Sequence, residues 1–454
     1  MTVPGSLRGR RLPCVMFALA SVVYVVSAAF HNGSGDVITS NLASWQLAGG
    51  HRPYLDRFSY PALDDHPRRY VWVVLDHHGR EIIGRAGGPV LLAVPAYAFT
   101  TWVLGNDGFS QVPGAVTAAL ASGAAVALFT STVRPRLGTK NTVLAALVLA
   151  FGTPVWTVAA DATWPQTVTV LGICAMAWAA SRDRWMLVGL AGGAAMWGRI
   201  QVVVIVALLG LVIGILRRNP QVVVRVAAAS GAMLGALLAW NRWMYGSWSP
   251  TAYYNHDDLA TYQPDGYVDI VNQLGSWVSL DRGILVWTPL LLVLLPNLVR
   301  RWRSVPDWSL VLACSGVAYT AFEAALIVFP GGDSFYGYRM TLELLVCLAP
   351  AATIAATDLG RLGRWLLAPL ITLQVVAMSA GAFNDNLGLP AADAWRQNAF
   401  VTAAFRDPFV GVTVVVVSGL IAVVARRIWA DPAIRTTDLS PASEPTPARR
   451  PDRS

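Results

Sequence analysis

Apolar runs nearly long enough to cross a bilayer recur along this chain, and they restrict its fold more than any motif does. "VPGAVTAALASGAAVALFTSTV", "QVVVIVALLGLVIGIL" and "VGVTVVVVSGLIAVVA" approach the roughly 20 residues a helix needs to traverse the hydrocarbon core. The signal is global as well as local. Charged residues make up 13% of the 454, against roughly 25% in a soluble domain. Within lipid, backbone polar groups have no water to bond, so each span must satisfy its own groups as a helix. The period-2 alternation of a membrane barrel is absent. The fold class read from these runs is an all-α polytopic membrane protein.

The basic residues orient it. The net charge of +8 sits in short clusters between apolar runs, as membrane topology requires, and this distribution argues against a nucleic-acid partner. Residues 1–11 are basic and expected in the cytoplasm, with the first helix, near 12–30, running outward. The clusters at 134–140, 181–184, 217–220, 300–303, 358–364 and 425–429 then all fall in the cytoplasm, with about twelve spans. One condition applies: 87–105 must lie against the outer face or dip into it. On this reading 12–425 form the transmembrane domain, with outer loops at 31–112 and 241–282. The tail 426–454, rich in Pro, Ser and Arg, is expected to be disordered and cytoplasmic. Cys14, Cys174, Cys314 and Cys347 are too widely spaced for a zinc site or disulfide framework and read as packing residues. There is no nucleotide-binding glycine loop, so chemistry is expected at the outer face, without ATP and without a cofactor.

Several residues at that face are chemically conspicuous. Asp36 follows the first helix closely, and Ile38, Leu42 and Trp45 then mark one face of a short amphipathic helix suited to the membrane–water interface. Asp36 reads either as that helix's N-cap or as a general base whose basicity partial burial would raise. Arg199, Arg242, Arg282, Arg339, Arg396 and Arg406 stand at or near outer helix ends, where a long stem can snorkel to water. Arg199 lies between two short apolar helices, forming the outer tip of a hairpin, and Arg339 follows the glycine-rich "GGDSFYGY". Both are candidates for gripping phosphate through a two-pronged guanidinium. Glu323 and Glu343 lie in apolar spans, where ionisable groups mark function or could lock onto Arg339. Asp161, Asp333, Tyr336 and Tyr338 are candidate cavity-lining residues. Tyr253, Tyr254, Trp164 and Trp248, with the last two tyrosines, read as an interfacial aromatic belt. Asp64, Asp65 and His66 are adjacent, a poor arrangement for converging on a metal, and "DHHG" reads as a turn between two short extended segments.

The order of these features resembles the GT-C superfamily of integral membrane glycosyltransferases, in its bacterial, polyprenyl-phosphate-sugar-dependent form. The resemblance rests on the outward first helix with Asp36 at its exit and on "YVWVVLDHHGREIIGRAGGPVLLAVPAYAF", "DATWPQTVTVLGICAMAWAA", "GLAGGAAMWGRIQVVVIVALLGLVIG", "GSWVSLDRGILVWTPLLLVLLPNL" and "FPGGDSFYGYRMTLELLVCLAP". It extends to about residue 425. The family's "PPG" turn reads "AGGP" here, and no acidic-x-acidic pair follows the first helix, so a metal site is poorly supported. The resemblance implies a GT-C-like bundle with juxtamembrane helices in the first outer loop. It implies a bacterial plasma-membrane enzyme with an extracytoplasmic active face. Its partners would be a polyprenyl-phosphate-linked sugar donor, membrane lipid, and an envelope glycan, lipid or protein acceptor. Asp36 would be the base of an inverting transfer, with Arg199 and Arg339 on the lipid phosphate. The alternatives are a transporter or lipid flippase, which calls for inverted repeats not found here, and an inactive scaffold of the same fold.

Overall fold

The computed structural model describes residues 8–64, 71–255, 260–264, 266, 269–333, 335–384 and 387–430. Asp65, His66, His256 and the tail beyond 430 lie outside the described residues. Helices make up 72% of the structure, and strands almost none. In chain order they are α1 (Arg8–Val26), α2 (Gly35–Ala48), the single turn α3 (Pro61–Asp64), α4 (Gly87–Ala98), α5 (Val112–Phe151), α6 (Pro165–Ala180), α7 (Trp185–Met196), α8 (Val203–Leu216) and α9 (Pro220–Tyr245). There follow α10 (Ile270–Val278), α11 (Ile284–Trp287), α12 (Leu291–Arg301), α13 (Asp307–Leu326), α14 (Leu342–Ala355), α15 (Arg361–Ala382), α16 (Ala399–Arg406) and α17 (Pro408–Ala430). Strands β1 (Val73–Leu75) and β2 (Glu81–Ile83) pair antiparallel between α3 and α4.

Among the described residues, α5, α9, α13 and α15 are individually long and apolar enough to cross a membrane, and α16 with α17 forms a further pair bent by 105°. A count of twelve requires shorter apolar helices such as α6, α7 and α8 to be included, with α5 counted twice. The sequence allows that division. Gly138 breaks α5 with φ 69° and ψ 175°, three residues after Pro135, so the basic cluster expected as a loop between spans is a kink joining two helices. Helix α9 shows the local logic plainly. Asn219 caps it by accepting from the Gln221 N–H, Pro220 opens it, and Gly246 ends it at φ 76°. This is the usual order of an amide cap, a proline and a left-handed glycine.

The largest cluster of buried apolar residues draws on most of the bundle, with Met16, Ala20 and Tyr24 of α1 beside Val126 and Phe129 of α5. Tyr24 donates its hydroxyl to the Ala150 carbonyl at 2.9 Å, tying α1 to both halves of α5. Helices α6 and α7, α7 and α9, α5 and α6, and α13 and α14 are among the other close pairs. Cys174 and Cys347 are buried, Cys14 and Cys314 exposed, and all four are free.

Helix α2 departs from the expectation of an interfacial amphipathic helix. Val37, Ile38, Thr39, Ser40, Asn41, Leu42, Ala43 and Ser44 are all buried, so this stretch has no solvent-facing side. Its hydroxyls make that burial tolerable by bonding locally. Thr39 donates to the Gly35 carbonyl and Ser40 to that of Asp36, while the Ser44 hydroxyl has the carbonyls of Ser40 and, across on α4, Val90 within reach of its one hydrogen. A buried hydroxyl needs only one nearby acceptor, and the carbonyl one turn back supplies it. The aromatic belt is likewise largely interior: Trp164, Tyr253, Tyr336 and Tyr338 are buried, and Trp248 is exposed.

Candidate active site

Asp36 is the second residue of α2, whose N-cap is Ser34. The carboxylate therefore does not cap the helix, and its partners come from distant parts of the chain. Oδ1 accepts from Trp72 Nε1 at 2.9 Å and from Arg85 Nη2 at 2.6 Å, while Oδ2 accepts from Arg339 Nη1 at 2.6 Å.

Trp72 and Arg85 arrive together because a hairpin joins them. Val73 pairs with Ile83, and beyond that pair the Gly84 N–H donates to the Trp72 carbonyl at 2.8 Å. The open end of the hairpin thus presents Trp72 on one strand and Arg85 just past the other. Its tip is the expected turn. Asp76 accepts from the backbone N–H groups of His78 and Arg80 and from the Tyr54 hydroxyl, with Gly79 at φ 72°. Burial pushes the Asp76 carboxyl up, but those three hydrogen bonds outweigh it and hold the group at about 2. Arg85 is fixed at its backbone by the Tyr245 hydroxyl, which accepts from its N–H at 3.1 Å and donates to its carbonyl at 2.7 Å.

Arg339 is delivered by the loop between α13 and α14. Gly331, Gly332 and Gly337 take φ values of 64°, 95° and 90°, which glycine adopts without the penalty a Cβ would bring. Arg282 holds this loop from behind. Buried and paired with Asp281 at 2.9 Å, it donates to the carbonyls of Phe335, Gly337 and Leu389, so it does not snorkel. The Arg339 guanidinium carbon stands 4.9 Å from the Trp164 ring centre and 5.0 Å from that of Phe335. These ring faces favour a cation held between them.

The electrostatics of Asp36 are settled by its neighbours. Burial alone would raise its pKa, but the charges of Arg85 and Arg339 and the Trp72 hydrogen bond win, holding the carboxyl well below the ordinary aspartate range. The arginines are less fully used. Arg85 Nε and Nη1 and Arg339 Nε are buried with no hydrogen-bond partner among the described residues. Unmade hydrogen bonds on buried charged donors are costly, which leaves capacity for a further anion.

Arg199 does occupy the turn between α7 and α8, and it lines the same cavity as Asp36, Arg85, Asp333 and Arg339. Its guanidinium is committed elsewhere, however. Nη2 bonds Glu323, Nη1 lies 3.7 Å from Glu343, and Thr169 donates to Glu343 at 2.8 Å. The two glutamates thus lock onto Arg199, not onto Arg339. Asp161 and Tyr336 line a neighbouring cavity with His31, Asn32 and Asn384, and Asp161 accepts from the Ala29 N–H at 3.0 Å. Tyr338 is fully buried against Thr288 at 2.7 Å. Asp64 accepts from Ser59 and from the Tyr60 N–H, and no three His, Cys, Asp or Glu side chains gather as a metal site among the described residues.

Sequence reasoning missed Arg85 and Trp72. The signal was present in "WVVLDHHGREIIGR": a hairpin turn recognised at "DHHG" implies that the residues flanking both strands meet at the open end.

No family model matches the sequence, and no curated protein matches it. Among solved structures the chain is similar to ArnT from Cupriavidus metallidurans, crystallised bound to undecaprenyl phosphate. Identity is 16%, the TM-score is 0.60, and the superposition covers 90% of this chain and 71% of that one. At that identity the likeness shows the fold. The chain has the ArnT-like GT-C fold, built from multiple apolar helices, and is a multi-pass membrane protein.

Proposed function

We propose that this protein is a glycosyltransferase that moves a sugar from a polyprenyl-phosphate carrier to a hydroxyl acceptor at the extracytoplasmic face of a bacterial plasma membrane. One observation carries the reading: a single aspartate sits between two guanidiniums, each keeping at least one buried donor without a partner among the described residues, in a cavity of a GT-C fold. The bound lipid of the ArnT structure, undecaprenyl phosphate, is the chemistry such a cavity would accept.

In this mechanism the donor's phosphate takes Arg85 and Arg339 as its clamps. The acceptor hydroxyl oxygen forms a bond to the anomeric carbon on the face opposite the phosphate. The bond from that carbon to the phosphate oxygen breaks, and its electron pair leaves on the phosphate, where the guanidiniums stabilise the added charge. The hydroxyl proton passes to Asp36, and the configuration inverts. The two arginines also explain how a carboxylate of low basicity becomes a base. Before the donor binds they hold Asp36 ionised and ready. As the phosphate draws them off, the carboxylate loses the charges that depress its pKa, and its affinity for a proton rises. Arg199, tied to Glu323 and Glu343, shapes the wall of this cavity, and Asp333 beside it accepts from the Ala391 N–H at 2.7 Å.

The test is mass spectrometry of lipid-linked sugars and envelope glycans in a deletion strain, complemented with wild type or with Asp36→Asn. Accumulation of one donor lipid and loss of one glycan residue in both the deletion and the Asp36→Asn strain is the expected result. Restoration of the wild-type profile by Asp36→Asn would sink the assignment and favour transport.

A further inference from the structure

The cavity that holds Asp36 has a neighbour of different chemistry. Gly35 and Trp72 line both, and the packing between them is tight: a Cβ on Gly35 would collide with the Trp72 indole. The indole and the glycine backbone are therefore the partition. On one side stand the three arginines. On the other stand His31, Asn32, Ile38, Tyr60, Leu63 and Gln111, with no Asp, Glu, Lys or Arg among the described lining.

That composition selects a ligand. A phosphate or a charged peptide would find no counter-charge there, and burying an unpaired charge is prohibitive. A neutral molecule with an apolar face and a rim of hydroxyls fits, because aromatic faces take its C–H surface and scattered polar groups take its hydroxyls. Tyr60 is set for this role. Its ring is braced edge-on by Phe109 at 5.5 Å and its backbone N–H is held by Asp64. Neither its hydroxyl nor the His31 ring has a hydrogen-bond partner among the described residues. Gln111 instead serves the wall, bonding the Asn32 N–H and carbonyl at 3.1 Å each, which pins the segment that leads into Asp36. His31 and Asn32 also border the cavity of Asp161, Tyr336 and Asn384, so the polar surface continues beyond a single ring.

Building on the transferase reading, we propose that this second cavity is the acceptor subsite and that the acceptor is a neutral glycan. Tyr60 and Trp72 stack on a sugar ring, His31 bonds its hydroxyls, and the reacting hydroxyl reaches Asp36 past the edge of the indole. The lining comes entirely from the segment between α1 and α5, so the acceptor approaches from the aqueous side and not from the lipid.

The experiment uses the full-length protein in lipid nanodiscs, avoiding glycoside detergents. Saturation-transfer NMR with a panel of methyl hexosides and methyl pentosides is run on wild type, Tyr60→Ala, His31→Ala and Arg85→Ala. Native mass spectrometry of undecaprenyl phosphate binding is run on the same samples. At least one neutral glycoside is expected to bind wild type and Arg85→Ala, with the signal reduced about tenfold or more in Tyr60→Ala and weakened in His31→Ala. Undecaprenyl phosphate should bind wild type and Tyr60→Ala, which also shows that the latter is folded, and should bind Arg85→Ala poorly. Three results would overturn the proposal: no glycoside bound by wild type, glycoside binding indifferent to both Tyr60 and His31, or displacement of the glycoside by a lysophospholipid. Loss of undecaprenyl phosphate binding by wild type would strike the transferase reading alone and leave a sugar site standing.

Discussion

Asp36 is held by two guanidiniums, Arg85 and Arg339, whereas Arg199 is itself held by two carboxylates, Glu323 and Glu343. The clusters border one cavity, yet their stoichiometries are opposite. Both keep buried guanidinium donors without a hydrogen-bond partner among the described residues, but only the first carries an excess of positive charge, so a further anion completes it. The second has acceptors in excess, and its glutamate side chains are 2% and 0% exposed, so an incoming phosphate would compete with carboxylates already in place. An arginine at an outer helix end therefore reveals little until its counter-ions are counted.

The largest expected effect is on the first cluster. Asp36→Asn should lower transfer by about 10²–10⁴-fold, the usual contribution of a general base, while undecaprenyl phosphate binding holds or tightens because the arginines are no longer neutralised. A loss of lipid binding in parallel with activity, measured by native mass spectrometry, would erase the contrast between base and clamp. Arg199→Ala comes next and should act on the other cluster's stability. It leaves two buried carboxylates uncompensated, at a cost of about 3–5 kcal/mol. Thermal unfolding in detergent should show it, and Glu343→Gln placed on top should recover part of the loss. Arg85→Ala and Arg339→Ala should each weaken undecaprenyl phosphate binding by about 1.5–3 kcal/mol, the range for hydrogen bonds to charged groups. If Arg199→Ala weakened binding more than either without loss of stability, the two clusters would exchange roles.

The smallest effect is in pH. A carboxyl whose folded-state pKa lies below its unfolded value stabilises the fold in full above the ordinary aspartate pKa of about 3.9. That stabilisation is lost progressively as pH falls from there to the lower, folded-state value. The difference in melting temperature between wild type and Asp36→Asn should accordingly stay constant from about pH 8 to pH 5 and shrink only below about pH 4. A difference that varied across the neutral range would mean that the arginines do not hold Asp36 as described.

The sequence disclosed the bundle because hydrophobic span length is a local property, legible one helix at a time. It singled out Asp36 and Arg339, which lie on opposite sides of most of the chain and meet at 2.6 Å. It placed Arg199 at its turn. What it could not supply was pairing. Nothing near Arg199 in sequence foretells Glu323, 124 residues away, and nothing in α2 foretells burial on every side, because that depends on what the hairpin, α4 and the 331–339 loop place around it. Arg85 is hidden for a related reason: it stands between "DHHG" and "AGGP", and only the strand pairing brings it to Asp36.

The hairpin has one more implication. Everything the site needs from it lies at its open end, where Trp72 and Arg85 emerge, and its tip at 76–80 is closed by its own backbone hydrogen bonds and by the Asp76 carboxylate. Added or exchanged residues at the tip leave the opposite end in register, whereas a one-residue slip in β1 or β2 would turn each side chain to the other face. Variation is therefore best tolerated at the exposed residues 77–80, while buried Asp76 keeps the tip closed and the open end in place.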